Sequence, residues 1–161
     1  MEETNSMNIK LLRENARIPT RGSEFAAGYD LYAAPEKVKM PDGSEVYEKI
    51  EIPPHKTVMI PTGIAIAIDN NFWGGVYARS GLATKSGLRP ANCVGVIDPD
   101  YRGEIFVALH NDTDNFAYVN AGDRVAQLIF HPRFMVDGWN QVENLDETQR
   151  QEGGFGSTGS N

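Results

Sequence analysis

Asn92-Cys93-Val94-Gly95-Val96-Ile97-Asp98-Pro99-Asp100-Tyr101-Arg102-Gly103-Glu104 reads as two strand ends meeting at a charged turn. Val94, Val96 and Ile97 are β-branched and lead up to Asp98; Pro99-Asp100 supplies turn chemistry; Tyr101 leads back into an apolar run from Ile105 to Leu109. The pattern predicts a β-hairpin with its chemistry at the tip. Two strands would hold a carboxylate, an aromatic ring and an arginine rigidly in one place. An ordinary polar turn could carry the same Asp-Pro-Asp, so the neighbouring segments decide what this one is for.

Upstream, Gly74 to Ala78 reads as a strand that delivers Arg79-Ser80-Gly81-Leu82-Ala83. Residues 81–87 have the composition of a short helix ending at Gly87, with Ser80 where an N-cap would sit. Free N–H groups there, with Arg79 beside them, would suit an anion; a plain cap and a surface arginine are the alternative. Further back, Ile64-Ala65-Ile66-Ala67-Ile68 alternates large and small side chains strictly, which suits a strand buried on both faces. Val58 to Ile60 is another short strand. Lys37 to Ile52 reads as a hairpin around Pro41-Asp42-Gly43 with no chemistry of its own. Ala26-Ala27-Gly28-Tyr29-Asp30-Leu31-Tyr32 sets one aspartate among small and aromatic residues. Small residues allow close backbone approach, so Asp30 is either held against another segment or solvated in a loop. Ile9, Leu11 and Arg13 alternate as a first strand, and 17–24 reads as a loop.

Downstream, Phe116 to Val119 is a short strand and Ala121-Gly122-Asp123-Arg124 a turn. Val125 to Phe130 is an apolar strand interrupted by Gln127. A buried amide left unpaired costs about 1–3 kcal/mol, so Gln127 must meet a neighbouring backbone or a ligand. Residues 132–143 read as one more irregular strand. In the tail, Gly154, Gly156 and Gly159 fit a G-x-G-x-x-G pattern, but no helix and no βαβ unit can follow them here. The tail is then either flexible or a lid whose backbone N–H groups close on phosphates while Arg150 supplies charge.

The chain has 161 residues, 40% of them hydrophobic, enough for one domain with its own core. We expect a single domain over 1–161, with about 144–161 as a C-terminal arm. Many short strands, turns at regular spacing and one short helix predict an all-β fold, a jelly-roll-like sandwich. A net charge of −7 argues against a nucleic-acid polymer as partner, because such binding uses many cationic contacts. A few placed arginines, Arg79, Arg102, Arg124 and Arg150, could still hold a small phosphorylated ligand. The single cysteine, Cys93, excludes a disulfide framework and a cysteine-based zinc site. No apolar run reaches a membrane span, and the acidic start Met1-Glu2-Glu3 is unlike a signal, so no membrane partner and a cytoplasmic location are expected.

Five segments in this order resemble the signature motifs of the trimeric deoxyuridine triphosphatase family. They are Ala27 to Leu31, Ala78 to Ala83, Gly95 to Gly103, Gly122 to Ile129 and Arg150 to Gly159. The resemblance implies a jelly-roll protomer in a homotrimer, with active sites at subunit boundaries closed by a C-terminal arm. It implies Mg²⁺-dependent hydrolysis of dUTP to dUMP and pyrophosphate, which keeps uracil out of DNA and supplies dUMP for thymidylate synthesis.

The same resemblance implies roles for individual residues. Asp98 is the expected general base for water attacking the α-phosphate. Asn92 with the backbone of Gly95, Val96 and Ile97 would read uracil, and Tyr101 would lie under the deoxyribose and exclude a 2′-hydroxyl. Arg79, Ser80 and Gly81 would hold phosphates from the neighbouring subunit, with Gln127 near the α-phosphate. Arg150, Phe155, Gly156, Ser157 and Thr158 would form the closing arm, the phenylalanine stacking on the base. Asp30 would support the metal waters and arginines, the metal itself being held by substrate phosphates with no direct protein ligand. Two features depart from the family pattern: Gln151 stands where a glycine is common, and the 37–52 hairpin is longer than usual. A dCTP deaminase of the same fold is the nearest alternative, but that branch carries a second serine where this chain has Gly81 and uses a glutamate as base. A non-catalytic nucleotide-binding regulator is the other.

Overall fold

The computed structural model describes residues 6–152. Fourteen strands and one helix follow in chain order: β1 Asn8–Leu11, β2 Thr20–Arg21, β3 Tyr29–Tyr32, β4 Lys37–Lys39, β5 Glu45–Tyr47, β6 Ile50–Ile52, β7 Thr57–Pro61, β8 Ile64–Ala67, β9 Phe72–Tyr77, α1 Ser80–Ser86, β10 Leu88–Pro90, β11 Gly95–Ile97, β12 Phe106–Asn111, β13 Ala117–Val119 and β14 Arg124–Pro132. The largest sheet has five strands in the order β11-β9-β14-β3-β2, and a second has β10-β12-β7. β1-β8, β13-β6 and β4-β5 are two-stranded pairs. One apolar cluster joins the two larger sheets, with Leu31 and Leu128 from the first and Ile60, Val107 and Leu109 from the second fully buried. This is the expected jelly-roll-like all-β architecture with its one short helix.

Period-two patterning explains which side chains face inward. In β12, Val107, Leu109 and Asn111 are buried, while the residues between them are more exposed. Asn111 is a polar exception that the fold satisfies completely. Its amide donates to the carbonyls of Ile52 at 3.0 Å and Asn115 at 2.7 Å, and its Oδ1 accepts from Thr113. In β8 the isoleucine and alanine faces are both buried through Ile66, as their alternation predicts.

Four expectations about strands and loops are corrected. The 92–104 stretch is not a hairpin: β11 pairs with β9, whereas β12 pairs with β7 and β10, so residues 98–105 cross from one sheet to the other. Alternation fixes which face a residue occupies and leaves the partner strand open. The 37–52 hairpin is shorter than expected, because β6 leaves it to pair with β13. The hairpin is tethered instead through Glu14, which accepts from Lys37 and, at 2.8 Å, from Tyr47. These bonds, the one from Lys37 first, hold the Glu14 carboxyl below its usual range. Residues 132–143 form no strand beyond the end of β14 at Pro132; this apolar segment meets no ladder partner among the described residues. The 17–24 loop contains the short strand β2, paired to β3.

Helix α1 ends at Gly87 as its sequence predicts, with φ +63° and its N–H bonded to the Leu82 carbonyl. Its N-cap is Arg79, not Ser80, and no side chain caps it. The turn after β7 requires glycine more strictly. Gly63 has φ +67°, and a Cβ there would lie 2.7 Å from the Ala16 Cβ and 3.1 Å from both the Ala34 Cβ and the Arg13 Cγ. Gly63→Ala combines left-handed strain with overpacking and is expected to lose about 2–4 kcal/mol, read from the urea unfolding midpoint.

Candidate active site

The expected site residues fall into two groups. The first gathers on the outward face of the five-stranded sheet. Gln127 of β14 lies opposite Asp30 of β3 on one side and Tyr77 of β9 on the other. Antiparallel register therefore brings together residues far apart in the chain. Asp30 is the hub. Its Oδ1 accepts from Arg79 Nε at 2.8 Å and its Oδ2 from Arg124 Nη1 at 3.2 Å, with the carboxylate side chain only 13% exposed. It is a strand residue held between two arginines, which corrects the reading of a solvated loop aspartate.

Gln127 meets a neighbouring backbone, its Nε2 donating to the Ala78 carbonyl at 2.9 Å. This bond ties β14 to the segment that enters α1. Gly28 makes room for it: a Cβ at that position would sit 3.1 Å from Gln127 Oε1 and 3.0 Å from Ile129 Cγ1. Around this hub opens a cleft of about 450 Å³, lined among others by Asp30, Arg79, Ser80, Gly81, Lys85 and Arg124. A Cβ at Gly81 would meet nothing within 4 Å. Within one chain a serine side chain would have room there. Arg124, one of the arginines expected to hold a phosphorylated ligand, lines the cleft, and Lys85, which the sequence did not single out, joins it there.

The second group surrounds the 98–105 crossing. Asp98, Val96, Ile97 and Tyr101 line a separate cleft of about 280 Å³ with Met59, Glu104 and Phe106. None of its lining residues is shared with the first cleft. Asp98 is exposed at the head of the loop, and its carbonyl accepts from the Tyr101 N–H at 3.1 Å. Arg102 Nη1 turns back into the loop, donating to the carbonyls of Pro99 at 2.6 Å and Tyr101 at 3.0 Å. The Tyr101 ring folds back over Gly103, where a Cβ would come within 2.5 Å of the phenol oxygen. β11 pairs only with β9 among the described residues, which leaves the other edge of Gly95 to Ile97 to present backbone donors and acceptors. The Asn92 amide lies beside Gly95, within 3.3 Å of where its Cβ would be.

Glu104, with Arg13, was not anticipated from the sequence. Its carboxylate accepts from Arg13 Nη1 at 2.9 Å, Arg13 Nη2 at 2.7 Å and the Gly63 N–H at 2.7 Å. The partners are 91 positions apart, and no local pattern joins them. Both carboxylate oxygens of Glu104 are thereby engaged within the protein.

Arg150 is exposed near the end of the described chain. Gln151 follows it at φ +46°, a left-handed conformation that glycine adopts without strain. Phe155, Gly156, Ser157 and Thr158 lie outside the described residues. No group of three or more His, Cys, Asp or Glu comes together among the described residues. No helix among them is long and apolar enough to cross a membrane.

An antiparallel jelly roll with an arginine-paired cleft and a separate carboxylate loop has the parts of a nucleotide polyphosphate site. The chain belongs to the dUTPase family, whose model matches residues 14–159. It is 40% identical to the deoxyuridine 5′-triphosphate nucleotidohydrolase of Candida albicans, over 100% of this chain and 92% of that protein. It is 42% identical to the enzyme of the same name from Syntrophotalea carbinolica, over 98% and 99%. A relative from Dictyostelium discoideum, 43% identical over 96% of this chain and 77% of its own length, is described as mitochondrial. Among solved structures, Staphylococcus bacteriophage 80alpha dUTPase with dUPNHPP superposes with a TM-score of 0.82 at 28% identity, over 98% of this chain and 100% of that one. A variant of the dUTPase from phage phi11 of S. aureus, described as coordinating a structural Mg(II) ion, gives 0.74 at 25% identity over 89% and 100%.

Proposed function

We propose that this chain hydrolyses dUTP to dUMP and pyrophosphate with Mg²⁺, as a homotrimer whose active sites form between subunits. The observation that carries the assembly is the separation of the two clefts. One chain holds its cationic phosphate cradle and its carboxylate loop as surfaces with no common residue, which fits a site completed by setting the cradle of one copy against the loop of another. The segment after β14 supports association. Phe134, Met135, Val136, Trp139, Val142 and Leu145 are all exposed, Phe134 and Trp139 by more than 90%, which an isolated chain would not favour in water.

In the assembled site, uracil lies along the open edge of β11, where the backbone of Gly95 to Ile97 and the Asn92 amide meet its polar edge. Cytosine would leave those groups mispaired, and such mismatches discriminate by up to about 10⁴–10⁵-fold. Tyr101 lies under the deoxyribose and leaves no room for a 2′-hydroxyl. Arg79, Ser80 and Gly81 of the neighbouring copy hold the phosphates, and Gln127 borders the α-phosphate. Asp98 accepts the proton of the water that attacks the α-phosphorus, and the bond to the bridging oxygen breaks to release pyrophosphate. Arg150 and the residues Phe155 to Thr158 close the site. The cleft offers one carboxylate, already bound by two arginines, and this fits Mg²⁺ carried by phosphates and waters better than a protein cage. When bound, the ion neutralises the charge that develops on the phosphate oxygens.

A panel of deoxynucleoside triphosphates with Mg²⁺ tests the activity. Pyrophosphate and dUMP are expected from dUTP, while ammonia release from dCTP would overturn the assignment in favour of a deaminase. Subunit mixing tests the assembly. Asp98→Asn and Arg79→Ala homo-oligomers should each be nearly inactive, and refolding them together should restore a clear fraction of activity through sites built from intact halves. Activity that stays at the level of the parents in verified hybrids would exclude a shared site.

A further inference from the structure

The carboxylate of Glu104 takes three hydrogen bonds, two from Arg13 and one from the Gly63 N–H, while Arg13 also donates to the Ala34 carbonyl at 2.8 Å. The main chain at this point is fixed as firmly. The Ile105 N–H donates to the Ile64 carbonyl at 2.9 Å, and the Ile105 carbonyl accepts from Thr62 Oγ1 at 2.5 Å. Glu104 also offers its own carbonyl, which accepts the Tyr101 hydroxyl at 2.9 Å. The tyrosine ring is thus held at both ends, by its backbone on Asp98 and by its phenol on Glu104. A mostly buried ion pair is weak evidence for stability, because desolvation offsets much of its attraction. A bidentate, fork-to-fork pair does fix geometry in a way that apolar packing does not.

We propose that Arg13 and Glu104 are a positioning pair that sets sugar specificity from behind the site, by fixing the carbonyl on which the Tyr101 hydroxyl rests. The inference rests on the reading of Tyr101 as the surface beneath the deoxyribose. Neither Arg13 nor the Glu104 side chain touches substrate in this scheme. Loosening the pair lets the ring drift and opens space for a 2′-hydroxyl, so UTP gains relative to dUTP.

The test measures kcat/KM for dUTP and UTP with Mg²⁺ in Glu104→Gln, Arg13→Lys, Tyr101→Phe, Tyr101→Ala and the Glu104→Gln/Tyr101→Phe double variant. The UTP to dUTP ratio is expected to rise about tenfold in Glu104→Gln and in Tyr101→Phe, and no further in the double variant, because both changes cut one linkage. Arg13→Lys keeps the charge but not the parallel bonds; it should raise the ratio by a smaller factor and covers the case in which Glu104→Gln does not assemble. A purely structural pair would lower both substrates alike and leave the ratio unmoved. An unmoved ratio in the Arg13 and Glu104 variants, with a raised one in Tyr101→Phe, overturns the pair's role and leaves the site reading intact. Independent, multiplying effects in the double variant overturn it as well. A wild-type ratio in Tyr101→Ala overturns the reading of Tyr101 and this inference with it.

Discussion

Asp98→Asn is expected to bind dUTP about as well as the parent chain and to lose about 10²–10⁴-fold in kcat, the usual contribution of a positioned general base. Asparagine keeps the shape of the side chain and removes its ability to take a proton from water. The loop around it should keep its form, because that form rests on bonds that do not use the carboxylate. These are the Tyr101 N–H to the Asp98 carbonyl and the Arg102 guanidinium to the Pro99 carbonyl. Titration calorimetry with a non-hydrolysable dUTP analogue checks binding, and single-turnover kinetics checks chemistry. A variant whose kcat stays near that of the parent would remove Asp98 from the base role, and one that fails to bind would recast it as a binding residue.

The fold was legible from this sequence wherever a residue reports on its own neighbourhood. Gly87 marks the end of α1 because a left-handed terminus favours glycine, and the isoleucine–alanine alternation of residues 64–68 marks a strand that can be covered on both sides. Pairing is a different kind of information. The 92–104 stretch has the alternation of two strands and the turn residues between them, yet its two halves belong to different sheets. Hairpin and crossover place the same side chains inward, and the choice between them lies in β9, β7 and β10, which are elsewhere in the chain. Residues 133–143 show the converse: large apolar side chains suggest a strand, yet beyond Pro132, which closes β14 against Phe72, they meet no ladder partner among the described residues.

The site divides in the same way. Residue types pointed to chemistry at Asp98 and Arg79, and family resemblance placed them in one reaction. No sequence pattern links Asp30 to Arg79, 49 positions away, or to Arg124, 94 positions away. The link exists because β3 and β9 flank β14, with Gln127 in register with both. A buried carboxylate needs such partners, so the low exposure of Asp30 follows from the arginines the sheet brings to it.

That arrangement makes Asp30→Asn the second substitution of large expected effect. Two explanations of Asp30 give opposite signs for substrate binding. If the carboxylate only reduces the positive charge of the cleft, its loss leaves Arg79 and Arg124 more strongly cationic, and dUTP should bind more tightly. If it aims the guanidiniums, each by one hydrogen bond, asparagine can accept from one arginine but presents an amide N–H₂ to the other, and at least one guanidinium turns away. Misplacing a phosphate contact by about 1 Å is enough to cost on the order of 10²-fold in rate. The geometry favours aiming, since the bonds go to separate oxygens and the carboxylate is largely shielded from water, where a mere counter-charge would have no need to be. The expected result is a fall in kcat of about 10²-fold with a KM that changes by much less, together with a lower Tm from the unsatisfied arginine. Steady-state kinetics on dUTP separates the two, because an unchanged kcat with a lowered KM would show that Asp30 is a counter-charge and nothing more.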